Sequence, residues 1–134
     1  MKEDINPPKV DDIAIAVVRE TAEDGESGWF AYFLNLRPHD LEGVLVRSNG
    51  YGLKGTEKIK TTELRHFLDK VPRMSSVKIE PIVEGVFSLS NQFWISFFHD
   101  NQILDRKVVF VPGSIDERNF VTVPILNVPG VLIK

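Results

Sequence analysis

LEGVLVRSNGYGLKGTEKIKTTELRHFLDKV, residues 41–71, decides how this chain is read. Val44-Leu45-Val46 opens it as an apolar strand, and a glycine loop follows, Gly50-Tyr51-Gly52-Leu53-Lys54-Gly55. Beyond Lys58 and Lys60, the residues Leu64, Phe67, Leu68 and Val71 fall at i, i+3, i+4 and i+7, one apolar face of a helix. Thr61 stands where an N-cap belongs, and Glu63 in the first turn meets the positive end of the helix dipole. Lys70 suits the negative end, and Pro72 stops any continuation. The spacing therefore predicts one short helix near 61–71, held by packing rather than by intrinsic propensity. The loop also matches G-x-G-x-x-G. A dinucleotide fingerprint, however, needs its helix to open inside the motif, so that terminal N–H groups meet the pyrophosphate. Here the helix would open well past Gly55 and no βαβ unit surrounds it, so the glycines read as a turn between strand and helix.

Outward from this stretch the chain is β-rich. Residues 12–19 and 29–36 (WFAYFLNL) read as strands joined by the polar connection 20–28, and the second is apolar on both faces. That composition suits a central strand packed on two sides, or one whose second face meets another subunit. Residues 76–84 alternate, with Val77, Ile79, Pro81 and Val83 inward, Lys78, Glu80 and Glu84 outward, and Ile82 as the exception. Pro81 places that strand at an edge. Residues 92–98 and 103–111 flank His99-Asp100-Asn101-Gln102 and form the clearest hairpin signal. One helical turn is expected over 114–119, and two short β segments over 120–126 and 130–133, the last docked in a sheet. Asn6-Pro7-Pro8 marks 1–9 as a flexible arm. The expected fold is mainly β over a single domain, 1–134: an antiparallel β-sandwich (immunoglobulin-like) or open barrel of seven to eight short strands with the one helix.

Composition bounds the function. Hydrophobic residues at 43% against 26% charged place all 134 residues in the globular class. No apolar run approaches a membrane span, and the polar start, MKEDINPPKVDD, has no secretory h-region, so the expectation is a cytoplasmic protein. Cysteine is absent, which excludes disulfides, thiolate metal sites and a cysteine nucleophile. The three histidines, His39, His66 and His99, lack any H-x-H or H-x-x-x-H spacing, and no serine sits in a G-x-S-x-G elbow. No catalytic residue, metal site or cofactor is therefore assigned.

Charge is the remaining signal. Residues 1–46 hold four Lys/Arg against ten Asp/Glu, a net −6, whereas residues 47–78 hold eight against three, a net +5. Such blocks either pair with each other across a fold or mark an anion-facing surface. The candidate binding residues lie there: Arg47, Asn49, Tyr51, Lys54, Arg65 and His66. Cations could approach phosphates while Tyr51 stacks on a base, although a chain of net charge −3 is more acidic than dedicated nucleic-acid domains.

The segments LEGVLVRSNGYG, TTELRHF, SVKIEPI and VPILNVPGVLIK resemble a small family of uncharacterised bacterial proteins of about this length, sometimes labelled phenylalanyl-tRNA synthetase alpha subunit. Such a synthetase needs a large antiparallel catalytic core with arginine-bearing motifs, which this length does not house. The resemblance carries over no catalytic residue. The leading expectation is a non-catalytic binding module acting through protein–protein contacts, with a protein partner or a second copy. It is motivated by aromatics on both faces of 29–36 and at Trp94 and Phe98. The alternatives are an RNA- or tRNA-associated accessory using residues 47–78, and a small-ligand-binding protein or enzyme with a pocket between sheet and helix.

Overall fold

The computed structural model describes residues 10–134, and the arm expected over 1–9 lies outside the described residues. The strands are β1 (Ile13–Thr21), β2 (Ser27–Asn35), β3 (Leu41–Lys54), β4 (Glu57–Lys60), β5 (Leu64–Val71), β6 (Ser75–Ile82), β7 (Ser90–His99), β8 (Gln102–Phe110), β9 (Val121–Val123) and β10 (Val128–Ile133). Two single 3₁₀ turns, Glu84–Val86 and Glu117–Asn119, are the helical content of the described residues.

All pairings are antiparallel. The first sheet runs β6-β2-β1-β10-β9 and the second β4-β3-β7-β8, with β5 on the same edge of β3 as β4. Among the described residues no ladder joins the two sheets, so the architecture is a β-sandwich rather than an open barrel. Period-2 alternation builds its core: Ile13, Ile15, Val17, Trp29, Ala31 and Phe33 from the first sheet meet Val44, Val46, Phe93, Ile95, Phe97 and Phe110 from the second. Phe33, Phe93, Phe97 and Phe110 are fully buried, each worth roughly 2–3 kcal/mol of transfer free energy. Trp29 closes one end of the core, edge-on to Phe87 and Phe120 at 5.2 and 5.8 Å.

The two-sided apolar character of β2 has a local explanation. Its second face, with Tyr32 and Leu34, joins Ala14, Ala16, Val18 and Val123 in a buried cluster of its own on the outside of the first sheet. In register, Ala16 lies between Tyr32 and Leu132. The larger side chains of the flanking strands fill the space over the alanines.

The helix expected over 61–71 does not form. Residues 64–71 are a strand, antiparallel to β3 in the register Leu45↔Phe67, Val46↔His66 and Ser48↔Leu64. The i, i+3, i+4, i+7 stripe arises from a strand with a bulge. His66 and Leu68 point inward, Asp69 takes a positive φ of 58°, and that extra residue returns Val71 to the core. Phe67, which a helix would have buried, is 67% exposed. A helix of this length gains little from propensity, whereas the 14-residue β3 presents a long row of unpaired backbone groups that β4 and β5 satisfy together.

The glycine motif changes accordingly. Gly50 and Gly52 lie within β3, and Gly55, at φ 68°, opens the two-residue turn closing the β3–β4 hairpin at the pair Lys54↔Glu57. It joins two strands rather than a strand and a helix. The expected hairpin over 92–111 forms as β7–β8. Its turn is tighter than expected, with Asp100 and Asn101 at φ 49° and 63° between the paired His99 and Gln102. Ten strands among the described residues replace the expected seven to eight because β4 and β5 form where the Lys-rich segment and the helix were expected, and β9 is the short remnant of the segment expected over 120–126.

Candidate functional site: the outer face of the second sheet

Along β3 the even residues Val44, Val46, Ser48 and Gly50 are buried, and the odd residues face out of the sandwich. Register then assembles an outer face from segments distant in sequence. Arg47 is opposite Arg65 on β5 and opposite Trp94 on β7, and Trp94 is opposite Lys107 on β8. The result is one row across four strands, Arg65–Arg47–Trp94–Lys107. The Arg47 guanidinium stands 5.3 Å and the Lys107 ammonium 5.8 Å from the indole centroid, within cation–π range. The next row outward carries Asn49 and Gln92, joined by Gln92 Nε2 donating to Asn49 Oδ1 at 2.7 Å. Beyond it Lys60 pairs with Tyr51, which is 37% exposed, and Lys58 with Leu53. A shallow depression of about 350 Å³ lies among Arg47, Asn49, Lys60, Glu63, Gln92 and Trp94.

The face is electropositive. It carries Arg47, Lys58, Lys60, Arg65 and Lys107 against Glu42, Glu63 and Asp105. The Arg65 hydrogen bond, at 2.8 Å, holds the Glu63 carboxyl below its ordinary range; slight desolvation opposes this, and the charges of Arg65, Arg47 and Lys60 reinforce it. Pairing with the acidic N-terminal block consumes little of this charge. Among the described residues, only Lys70 with Asp40 (3.4 Å) and Lys78 with Glu20 (2.8 Å) make that connection from 47–78. Arg47, Lys54, Lys58 and Lys60 form no ion pair among the described residues. At the far end the face turns apolar: Phe67 lies opposite Leu45, and Phe98 and Ile103 form a cross-strand pair, 54% and 65% exposed.

Of the six candidate residues, Arg47, Asn49, Tyr51 and Arg65 share this face, and Lys54 stands at the β3–β4 hairpin tip. His66 does not join them. Its side chain points to the opposite side of the sheet, where Nε2 donates to Glu80 Oε1 at 2.7 Å. Glu80 was expected outward; the shift between Ala31 and Tyr32 in the β2–β6 ladder turns it in, leaving its side chain 10% exposed. Ser48 Oγ also donates to it, 2.8 and 3.0 Å from its two oxygens. This is not the arrangement of a Ser-His-acid triad, because serine and histidine both spend their protons on the carboxylate and no hydrogen bond joins Ser48 to His66 among the described residues. No group of three or more His, Asp or Glu among the described residues is placed to hold a metal ion.

Trp94 and Lys107, which complete the central row, lay outside the candidate set. Their places depend on a β3–β7–β8 register that local pattern does not encode. Glu80 had one signal, the Ile82 exception, which is what a bulge in that strand produces. No protein-family model matches the chain, and the search of curated proteins gives no match. No helix among the described residues is long and apolar enough to cross a membrane.

Proposed function

We propose that this protein is a non-catalytic binding module whose recognition surface is the outer face of the second sheet, and that the surface takes a single-stranded nucleic acid. The row Arg65–Arg47–Trp94–Lys107 carries the reading. Cations beside an exposed-face indole offer phosphate contacts and a base-stacking platform together, and neighbouring Tyr51 and Phe67 extend the platform along the sheet. Net protein charge matters less to such a ligand than the local field, which here is positive over one face. Lysine is depleted at protein–protein interface cores, so Lys58, Lys60 and Lys107 favour the nucleic acid over a protein partner. A second copy of the chain is the second reading, favoured by the exposed pair Phe98 and Ile103.

The test is fluorescence anisotropy of a labelled mixed-sequence single strand, RNA and DNA, across a salt series. With three to five phosphates neutralised, log K falls against log salt with a slope of about −2 to −3.5 for single strands. Trp94→Ala is expected to weaken binding by roughly 1–3 kcal/mol. No binding at low salt, or binding indifferent to salt, refutes the reading. Concentration-dependent dimerisation in sedimentation without nucleic-acid affinity favours the second.

A further inference from the structure

On the inner side of β3, behind the cationic face and sharing Ser48, Asn49 and Gln92 with its depression, a cavity of about 350 Å³ opens between edge strand β6 and the β4–β5 edge of the second sheet. Leu64, Ile82, Val86 and Phe93 give it apolar walls, and its polar floor is made by Ser48, Glu80 and Asn91. What that floor offers is one-sided. The Ser48 hydroxyl proton is spent on Glu80. Both Asn91 N–H bonds are spent on the backbone, Nδ2 donating to Val86 O at 2.9 Å and to Leu89 O at 3.1 Å. Asn91 is 8% exposed, and its Oδ1 receives no donor among the described residues. Gly50, another lining residue, lies against that oxygen: a Cβ there would stand 3.3 Å from it. On Glu80, Oε1 takes the 2.8 Å contact from Ser48 and the proton of His66, whereas Oε2 takes only the longer, shared contact from Ser48.

The floor made by Ser48, Glu80 and Asn91 therefore presents acceptors and a carboxylate with no free donor, and the Thr62 hydroxyl lies at the exposed rim. Buried acceptors left unpaired are costly, so the complementary guest brings protons and positive charge. We propose that this cavity binds a small primary ammonium compound with a short apolar body, its head on Glu80 Oε2 and Asn91 Oδ1 and its body against Ile82, Val86 and Phe93. A carboxylate or phosphate guest would face a buried negative group with nothing to neutralise it. A neutral alcohol would bring one proton where an ammonium brings three.

The test is an NMR titration of the ¹⁵N-labelled full chain with phenethylammonium, 2-phenylethanol and phenylacetate in parallel. Phenethylammonium is expected to give saturable shifts at Ser48, Ile82 and Asn91, with the alcohol at least about tenfold weaker and phenylacetate inert. Glu80→Gln, which keeps the shape and removes the charge, is expected to weaken the ammonium about tenfold and leave the alcohol unchanged. Should that variant fail to fold, Leu64→Trp, at a half-exposed wall position, is expected to block the ammonium while single-strand binding on the other face persists. Equal affinity for ammonium and alcohol, shifts confined to the acidic loop 22–26, failure to saturate, or undiminished binding in a folded Glu80→Gln or Leu64→Trp variant each overturns the proposal.

Discussion

Asn35 offers the most direct test of how the two sheets are joined. It ends β2 with no exposed surface, and its side chain acts as a polar clasp in an apolar core. The two Nδ2 protons are shared among three carbonyls, His39 O at 2.9 Å and Val71 O and Pro72 O at 3.1 Å each, while Oδ1 accepts from Arg37 N at 2.9 Å. Val71 ends β5 and Pro72 begins the turn into β6, so one side chain of the first sheet fixes the corner from which both strands of the inner cavity depart. In Asn35→Ala the buried Val71 carbonyl loses its side-chain donor, at about 1–3 kcal/mol. The other contacts are part-buried and water recovers some of them. With a small term for the lost amide volume, the expected loss is about 3 kcal/mol, a sizeable share of a domain's 5–15 kcal/mol.

Urea unfolding followed by tryptophan fluorescence measures this. With a slope of about 2 kcal/mol/M the midpoint is expected to drop by about 1.5 M. Two further variants separate hydrogen bonding from packing. Asn35→Leu restores volume but not the donor, so it remains destabilised. Asn35→Asp sets a carboxylate against three carbonyls. It is expected to be the worst of the three at neutral pH and to recover on acidification, since burial beside acceptors raises its pKa and its stability falls as pH rises through that value. Wild-type stability in Asn35→Leu, or an Asn35→Asp variant no worse than Asn35→Ala at neutral pH, refutes the clasp.

Two further outcomes follow from local geometry. Gly43 has φ 62° at the β3 bulge, and a Cβ there would stand 2.4 Å from Phe98 Cδ2; Gly43→Ala is expected to lower stability by about 1–3 kcal/mol in the same urea assay, and a neutral effect means the bulge is not needed. On the outside of the first sheet, burial pushes the Glu20 carboxyl up, but hydrogen bonds from Lys78 and the Tyr32 hydroxyl outweigh it and hold its pKa below the ordinary 4.5. Burial, then the bond to Glu20, raises Tyr32, and the bond to Glu20 raises Lys78. The lowered carboxyl contributes stability above its unfolded value and loses it as pH falls through the folded one; the raised groups contribute below about pH 10 and lose it as pH rises. Glu20→Gln is therefore expected to cost stability across the neutral range and to converge on wild type at both extremes, and a constant difference from pH 3 to 11 would contradict the cluster's role.

How much of this was legible in the chain depended on whether the information was local. Phe93, Ile95 and Phe97 recur at every second residue in a β-branched and aromatic run, the Asp100-Asn101 pair supplies the turn, and Leu104, Val108 and Phe110 return to the same face. That hairpin could be read from adjacent residues alone. Residues 61–71 could not. Their apolar spacing satisfies a helix and also a strand bulged at Asp69, and the choice rests on the unpaired edge of β3, a partner whose demand is tertiary. The basic segment was legible as charge because β3, β4 and β5 are consecutive and share one ladder system, which brings Arg47, Lys60 and Arg65 together. Trp94 enters their row only through the β3–β7 register, and Glu80 enters the core only through a bulge.

The alternation of β3 also explains why a glycine motif stands where it does. Tyr51 and Leu53 face outward beside Lys60 and Lys58, while Gly50 and Gly52 occupy the inward positions between them. A Cβ at Gly50 would press on Asn91 Oδ1 and Thr61 Cγ2, both at 3.3 Å, and one at Gly52 would stand 3.1 Å from Leu89 Cδ2. Ordinary strand residues would project side chains into this end of the sandwich, filling the space beside Asn91 and displacing Leu89. Glycine at both positions lets Leu89 and Asn91 close on the bare backbone and leaves the cavity open next to Glu80. The same strand thereby serves two chemistries of opposite sign, a cationic row outside built on its odd residues and an acceptor-lined cavity inside made possible by what its even residues lack.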